Sequence, residues 1–209
     1  MNVIVHSTAE ETRCKILAVA WDLFRQLGVR TTVADIAAKL GMSSANIYRF
    51  FPSKHALTEA ICANQLGALT DAVAAAGQGA GSASSRIRAM LMTLHRVMSD
   101  QMVNQSRVHE IVDVALSERW PTIDAFHQRC AAMMAERVAE GQALGEFGPG
   151  DPAQLGMQAL VACAAIYHPT LIAECPAELA GTRPAEIIGF ALRALANPNP
   201  VRESSSSAM

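Results

Sequence analysis

The segment TTVADIAAKLGMSSANIYRFFPSK, residues 31–54, constrains this chain more than any other part of it. Two short helices that cross steeply need a small residue where they touch. They also need a left-handed turn between them and an apolar plug that returns the second helix to the core. Ala37, Gly41 and Ile47 supply these in order, at an Ala-x3-Gly-x5-Ile spacing that is the footprint of a helix-turn-helix. Thr32 can cap the first of the two, with Asp35 three residues on accepting from free backbone N–H groups. Ser43 can cap a second helix over residues 44–50, and Pro52-Ser53 stops it and caps a longer one reaching about residue 76.

Charge is distributed to match. Residues 25–54 hold five basic side chains (Arg25, Arg30, Lys39, Arg49, Lys54) against the single acid Asp35, a net of +4. The whole chain is −2, which leaves −6 on the remainder, as expected of an anion-binding head on an acidic body. Ser43, Ser44, Ala45, Asn46 and Arg49 are small or polar and stand where base edges and phosphates are reached. Lys54 stands at a helix N-terminus, where a cation is disfavoured unless a phosphate docks beside it.

On these residues the segment resembles the DNA-binding domain of the TetR (tetracycline-repressor-like) family. Its usual run is close to T-T-x-x-D-I-A-x-x-x-G-[VM]-S-x-x-x-[LI]-Y-x-x-F-x-S-K-x-x-L. Thr31, Thr32, Asp35, Ile36, Ala37, Gly41 and Met42 match, and so do Ser43, Ile47, Tyr48, Phe51, Ser53, Lys54 and Leu57. The resemblance implies phosphate contacts from Thr32, Ser43, Tyr48 and Lys54, with Ser44, Ala45, Asn46 and Arg49 facing the groove. Phe50 departs from the pattern, since many relatives carry His or Tyr there. More loosely, ERWP and YHPTLIAECP within residues 105–176 resemble one subgroup of the family's C-terminal domains. The family layout implies an all-helical body with an inducer pocket and a homodimer interface.

The rest of the chain reads as helical too. Apolar spacing of about 3.6 residues predicts helices at 9–27, 86–100, 105–118, 121–142, 152–173 and 184–196, with no convincing strand. The expected fold class is therefore all-α, with about nine helices. A three-helix DNA-binding domain (9–58) precedes a ligand-binding and dimerisation domain (59–196), flanked by tails at 1–8 and 197–209. The Gly- and Ser-rich residues 77–85 read as a flexible junction after a fourth helix that belongs mechanically to both sides. Pro169 should kink or break the helix at 152–173.

Hydrophobic residues make up 51% of the chain and charged ones 17%, so a mainly disordered chain is excluded. No Asp, Glu, Lys or Arg lies between Asp151 and Glu174. The longest unbroken apolar run there, residues 159–167, is nine long. A spanning helix needs about 18 or more, so a membrane span is not expected. The stretch instead reads as a seam, formed with the helix around Leu192 and joining two subunits. Its expected contacts are Gly156, Ala159, Ala162, Cys163, Ile166, Ile188, Leu192 and Leu195, the small ones letting backbones approach. The N-terminus does not read as a secretion signal, and cytoplasmic location is expected.

For the body, Met90, Met98, Met102 and Met133 suggest an adaptable cavity, though plain core packing explains most methionines as well. Leu116, Trp120, Ile123, Phe126, Tyr167 and His168 are further candidate walls, and an inducer would be mostly apolar. His109 and Asp113, four residues apart on one helix face, are candidate pocket residues and the core of a rival reading. In that reading His95, Glu110, His127 or His168 completes a metal sensor; isolated polar residues are the simpler account, and no metal or other cofactor is expected. Five scattered cysteines without C-x-x-C spacing argue against a disulfide framework, and Cys130 beside Arg129 is the least poor redox candidate. No phosphate loop, G-x-S-x-G elbow or H-E-x-x-H run is present, so an enzyme is not expected. The partners expected are double-stranded operator DNA, a small effector and a second copy of the chain.

Overall fold

In the computed structural model the backbone is described for residues 2–104, 106–174 and 182–197, and side chains for 8–100, 110–172 and 182–197. The described residues form helices and no strand. The first is α1 (Asn2–Leu27), which a 3-10 turn, Gly28–Arg30, joins to α2 (Val33–Leu40), α3 (Ser44–Phe50) and α4 (Lys54–Gly77). Then come α5 (Ala83–Asn104), α6 (Ser106–Ser117) and α7 (Pro121–Ala143). The last four are α8 (Pro152–Ala162), α9 (Ala164–Tyr167), α10 (Pro169–Glu174) and α11 (Pro184–Ala196). None is long and apolar enough to cross a membrane.

Local chemistry sets the ends of the short helices. Thr32 Oγ1 accepts from the Asp35 N–H while the Asp35 carboxylate accepts from the Thr32 N–H, a reciprocal cap. Gly41 takes φ +65°, the left-handed stop between α2 and α3 that costs a residue with a Cβ. Ser43 and Ser53 cap α3 and α4 through the N–H groups of Asn46 and Ala56.

Among the described residues eleven α-helices stand where about nine were expected, because the predicted helix over 152–173 is three. Pro169 has no N–H to continue a helix, and His168 before it is extended at φ −72°, ψ 125°. A second break falls at Cys163, which closes α8 before a single turn of α9. Tyr167 folds back there and its hydroxyl donates to the Leu160 carbonyl at 3.2 Å, satisfying the end of α8. Two further expectations are corrected. The first helix starts at Asn2 rather than at residue 8 or 9, so Thr8 lies inside it and residues 2–7 are not a tail. The junction at 77–85 is a tied hairpin. Glu146 accepts from the N–H groups of Ala83 and Ser84, both at 3.0 Å, and Arg137 reaches the Gly77 carbonyl. The predicted tail beyond Asn197 lies outside the described residues.

Two apolar cores form. Phe24, Ile36, Ile47, Leu57 and Ile61 close the head, joined by Ile111 from α6. Leu69, Val73, Leu91, Met134 and Leu160 belong to the second, which fills the body. α4 therefore contributes its first half to one core and its second to the other, as the sequence led us to expect. α7 and α8 pack closely because Gly156 lies against α7: a Cβ there would come 2.7 Å from the Ala135 nitrogen.

Candidate nucleic-acid interface and effector cavity

α3 buries Ile47 completely in the head and turns its opposite side outward. Ala45, Tyr48 and Arg49 are exposed, and Ser44 and Asn46 are half-buried. Thr32, Ser43 and Lys54, at the starts of α2, α3 and α4, are exposed. Thr32 and Ser43 are also the caps of α2 and α3, which ties their positions to the backbone. The Thr32 hydroxyl donates to Asp35 at 2.6 Å, and these bonds hold the Asp35 carboxyl below its usual range. The Lys54 ammonium donates to the Val29 carbonyl at 2.6 Å, an acceptor the sequence did not reveal. Sequence reasoning also missed Arg13, whose guanidinium lies 4.6 Å above the Phe51 ring.

A cavity of about 70 Å³ lies between the head and the body. Its walls come from α1 (Trp21), α4 (Ile61, Cys62, Gln65), α5 (Met98), α6 (Ile111, Val112, Leu116) and α7 (Ile123, Phe126, His127), with His168 and Pro169 at the start of α10. None of the fifteen described lining residues is Asp, Glu, Lys or Arg. Burial pushes the imidazoles of His127 and His168 below their ordinary pKa, so both are neutral at pH 7. Burial also pushes the Cys62 thiol up to about 11.

Of the predicted pocket residues, Met98, Leu116, Ile123, Phe126 and His168 line this space. Met90, Met133 and Tyr167 pack with the body core instead, and Met90 covers Gly77, where a Cβ would meet its sulfur at 2.9 Å. Asp113 is exposed on the far side of α6. The side chains of Met102 and His109 lie outside the described residues. Gln65, Cys62 and Trp21 were missed because they sit on helices that the sequence ties to the head. The rival metal site loses two ligands: Glu110 accepts from the Val29 N–H, and His95 bonds the Ile166 carbonyl. No cluster of three His, Cys, Asp or Glu able to hold a metal occurs among the described residues. Cys130 is buried and its thiol is raised to about 11, which opposes the redox reading.

Between the interface and the cavity lies a polar joint. Glu110 on α6 accepts from the Val29 N–H of the head at 3.1 Å. After α6, Glu118 accepts from Trp120 Nε1 at 2.7 Å and pairs with His55 Nε2 at 3.2 Å. These bonds, Trp120 first, hold the Glu118 carboxyl below its usual range. The His55 ring stands edge-on to Trp120, with 5.1 Å between centroids. Trp120 thus walls a separate apolar recess, with Phe24 and Val114, at the joint. Helix α6 touches the cavity through Ile111, Val112 and Leu116 and the head through Glu110 and Ile111.

The expected subunit seam requires correction. Gly156, Ala159, Cys163, Ile166, Ile188, Leu192 and Leu195 are buried within the single chain, and of the eight only Ala162 is exposed. The close approach assigned to Gly156 is made to α7 of the same subunit. α8 and α11 nonetheless turn large apolar side chains outward: Met157, Val161 and Phe190 are exposed, the last two by 61% and 67%.

Comparison with known proteins places these features. Residues 16–61 match the family model for bacterial regulatory proteins of the tetR family, and residues 83–188 match that for a tetracyclin repressor-like C-terminal domain. The fold is similar to that of a TetR/AcrR-family transcriptional regulator from Thermobifida fusca. The two are 25% identical with a TM-score of 0.59, over 90% of this chain and 97% of that one. A TetR-family regulator from Pectobacterium atrosepticum is 19% identical, TM-score 0.64, over 90% and 92% of the two chains. A TetR regulator from Haloarcula marismortui is 15% identical, TM-score 0.68, over 89% and 98%. No curated protein matches by sequence.

Proposed function

The chain belongs to the TetR family of DNA-binding transcriptional regulators, and from that premise we propose that it is a cytoplasmic homodimeric repressor released by a small, mostly apolar effector. Each subunit lays α3 in the major groove at one half of a palindromic operator, with the two heads about 34–36 Å apart or at a related spacing. Tyr48 and Lys54 grip phosphates, and Asn46 and Arg49 read base edges. The dimer seam uses the outward sides of α8 and α11, where Met157, Val161, Ala162 and Phe190 are exposed. The chain carries out no catalysis in this reading and needs no cofactor.

The observation that carries the proposal is that a cavity with no charged side chain among its described walls shares α4 and α6 with the DNA-binding head. An occupant wedges Leu116 away from Ile61 and strains the contacts that Glu110 and Glu118 make with the head. The angle of the head then changes and the two recognition helices lose their spacing. By linkage, operator and effector weaken each other equally, with couplings of this kind commonly about 1–3 kcal/mol.

Footprinting of the DNA upstream of its own coding region, with and without small-molecule cell extract, tests this. Protection of a palindrome that extract abolishes is expected. A monomer at micromolar concentration, or a complex indifferent to salt, would overturn the mechanism.

A further inference from the structure

We propose that Arg13, on α1, is a further DNA-binding residue, and that it grips a backbone phosphate beside the recognition helix α3. The inference rests on the DNA-binding reading of the head and adds to it a contact from a helix outside the turn motif. The Arg13 guanidinium lies 4.6 Å from the centre of the Phe51 ring. Phe51 is buried and closes α3, its N–H donating to the Ile47 carbonyl at 3.0 Å. The ring is therefore a fixed platform, and stacking on it orients the planar guanidinium before any ligand arrives. Phe51 follows Arg49 by two residues and precedes Lys54 by three. At 3.8 Å between successive Cα atoms, those two positions lie within about 8 and 11 Å of the Phe51 Cα. Arg13 thus stands beside the stretch that joins two of the candidate DNA contacts.

The donors of Arg13 are open. Among the described residues no carboxylate forms an ion pair with it, and no acceptor takes a hydrogen bond from its side chain. Glu10, one turn before it, accepts from Cys14 Sγ instead. The side-chain polar atoms buried without a partner among the described residues are Arg86 Nε and His168 Nδ1. The Arg13 nitrogens are not among them, so solvent reaches them. The body treats its half-buried and buried arginines differently: Arg86 pairs with Glu140, and Arg137 with Glu136 and Glu140. A guanidinium seated on a ring with its fork of N–H groups uncommitted is prepared for an oxyanion, and phosphate accepts two such bonds side by side. Phosphate rather than a base edge follows from the element that carries it. Arg13 is on α1, and helices flanking a recognition helix meet the backbone of the duplex.

Fluorescence anisotropy of the full chain across a salt series tests this, with the duplex protected in footprinting and an unrelated duplex of equal length. Arg13→Met keeps an unbranched stem over Phe51 and removes the charge. It should weaken both duplexes alike, about tenfold near 0.1 M salt, and lower the slope of binding against salt by about one. Its urea midpoint should stay close to that of the wild-type chain, which shows that the head is folded. Arg13→Lys keeps the charge and should keep the slope. A slope unchanged in Arg13→Met would overturn the phosphate contact and leave Arg13 a packing residue, with DNA binding by α3 untouched. A slope lost equally in Arg13→Lys would overturn it too, since charge would then not be what matters. A wild-type chain that binds neither duplex would sink the DNA-binding reading itself, and the inference with it.

Discussion

In the head, the side-chain bonds that cap α2, α3 and α4 join residues three apart: Thr32 with Asp35, Ser43 with Asn46, Ser53 with Ala56. In the body they reach 54 to 71 positions along the chain, linking Arg86 to Glu140, Arg137 to Gly77, Ala83 to Glu146 and His95 to Ile166. The head is thus a device written in local chemistry, and its cationic face follows from a few neighbouring residues. The body is assembled by distant partners, and the cavity it leaves depends on how five helices and a proline turn meet. A chain built this way can keep its DNA-reading part while its effector site changes, because different classes of interaction hold the two.

Glycine substitutions probe the contrast most strongly. Gly156→Val would drive a Cβ into the α7 backbone at Ala135, and loss of about 4 kcal/mol or more, or failure of the body to fold, is expected in urea unfolding. Gly41→Val meets nothing within 4 Å and should cost only the strain of its left-handed backbone, about 1–2 kcal/mol. It should nonetheless abolish DNA binding. The reverse order of stability losses would break the comparison.

The seam separates inward from outward residues. Val161→Glu should yield monomers in analytical ultracentrifugation without changing the unfolding of each subunit, whereas Leu160→Glu, on a fully buried side chain, should unfold it. Dimers that survive Val161→Glu would move the seam elsewhere.

Within the head the two kinds of DNA contact can be told apart. Arg49→Ala should relax base preference, by about 1–3 kcal/mol at the affected position. Lys54→Ala should weaken all duplexes alike and lower the slope of binding against salt by about one. Gel shifts across a salt series distinguish the two.

The smallest expected effects are those of pH. His127 and His168 have folded pKa values below their unfolded ones, so the unfolded chain binds more protons. Their stability contribution is complete above about pH 6.5 and is lost as pH falls through the folded values. Asp35, Glu146 and Glu186 are likewise depressed, through their backbone and side-chain bonds, and add a second loss below about pH 4.5. Thermal unfolding should show two acid steps, and His168→Phe should shrink only the upper one.

Legibility in the sequence follows the same division. Ala37, Gly41 and Ile47 announce a turn because the constraint on each is satisfied within ten residues. The caps Thr32, Ser43 and Ser53 can be read for the same reason. Apolar spacing likewise marks α11 as 184–196, but it cannot say which neighbour covers which side. Small residues such as Gly156 show that something approaches closely, and not whether that something is a partner or the same chain. Gln65 and Cys62 look like positions on a helix tied to the head until α6 and α7 close over them.

Local propensity and periodicity were enough for the all-helical class, the recognition unit and its cationic face, since those depend on contacts between near neighbours. The break at Pro169 was legible too, but the one at Cys163, the side of α8 left open to solvent, the joint at Glu118 and the unpaired nitrogen of His168 came only with the folded chain. Each depends on long-range packing, whose geometry is set by the whole ensemble of helices and leaves no periodic mark on the residues that make it.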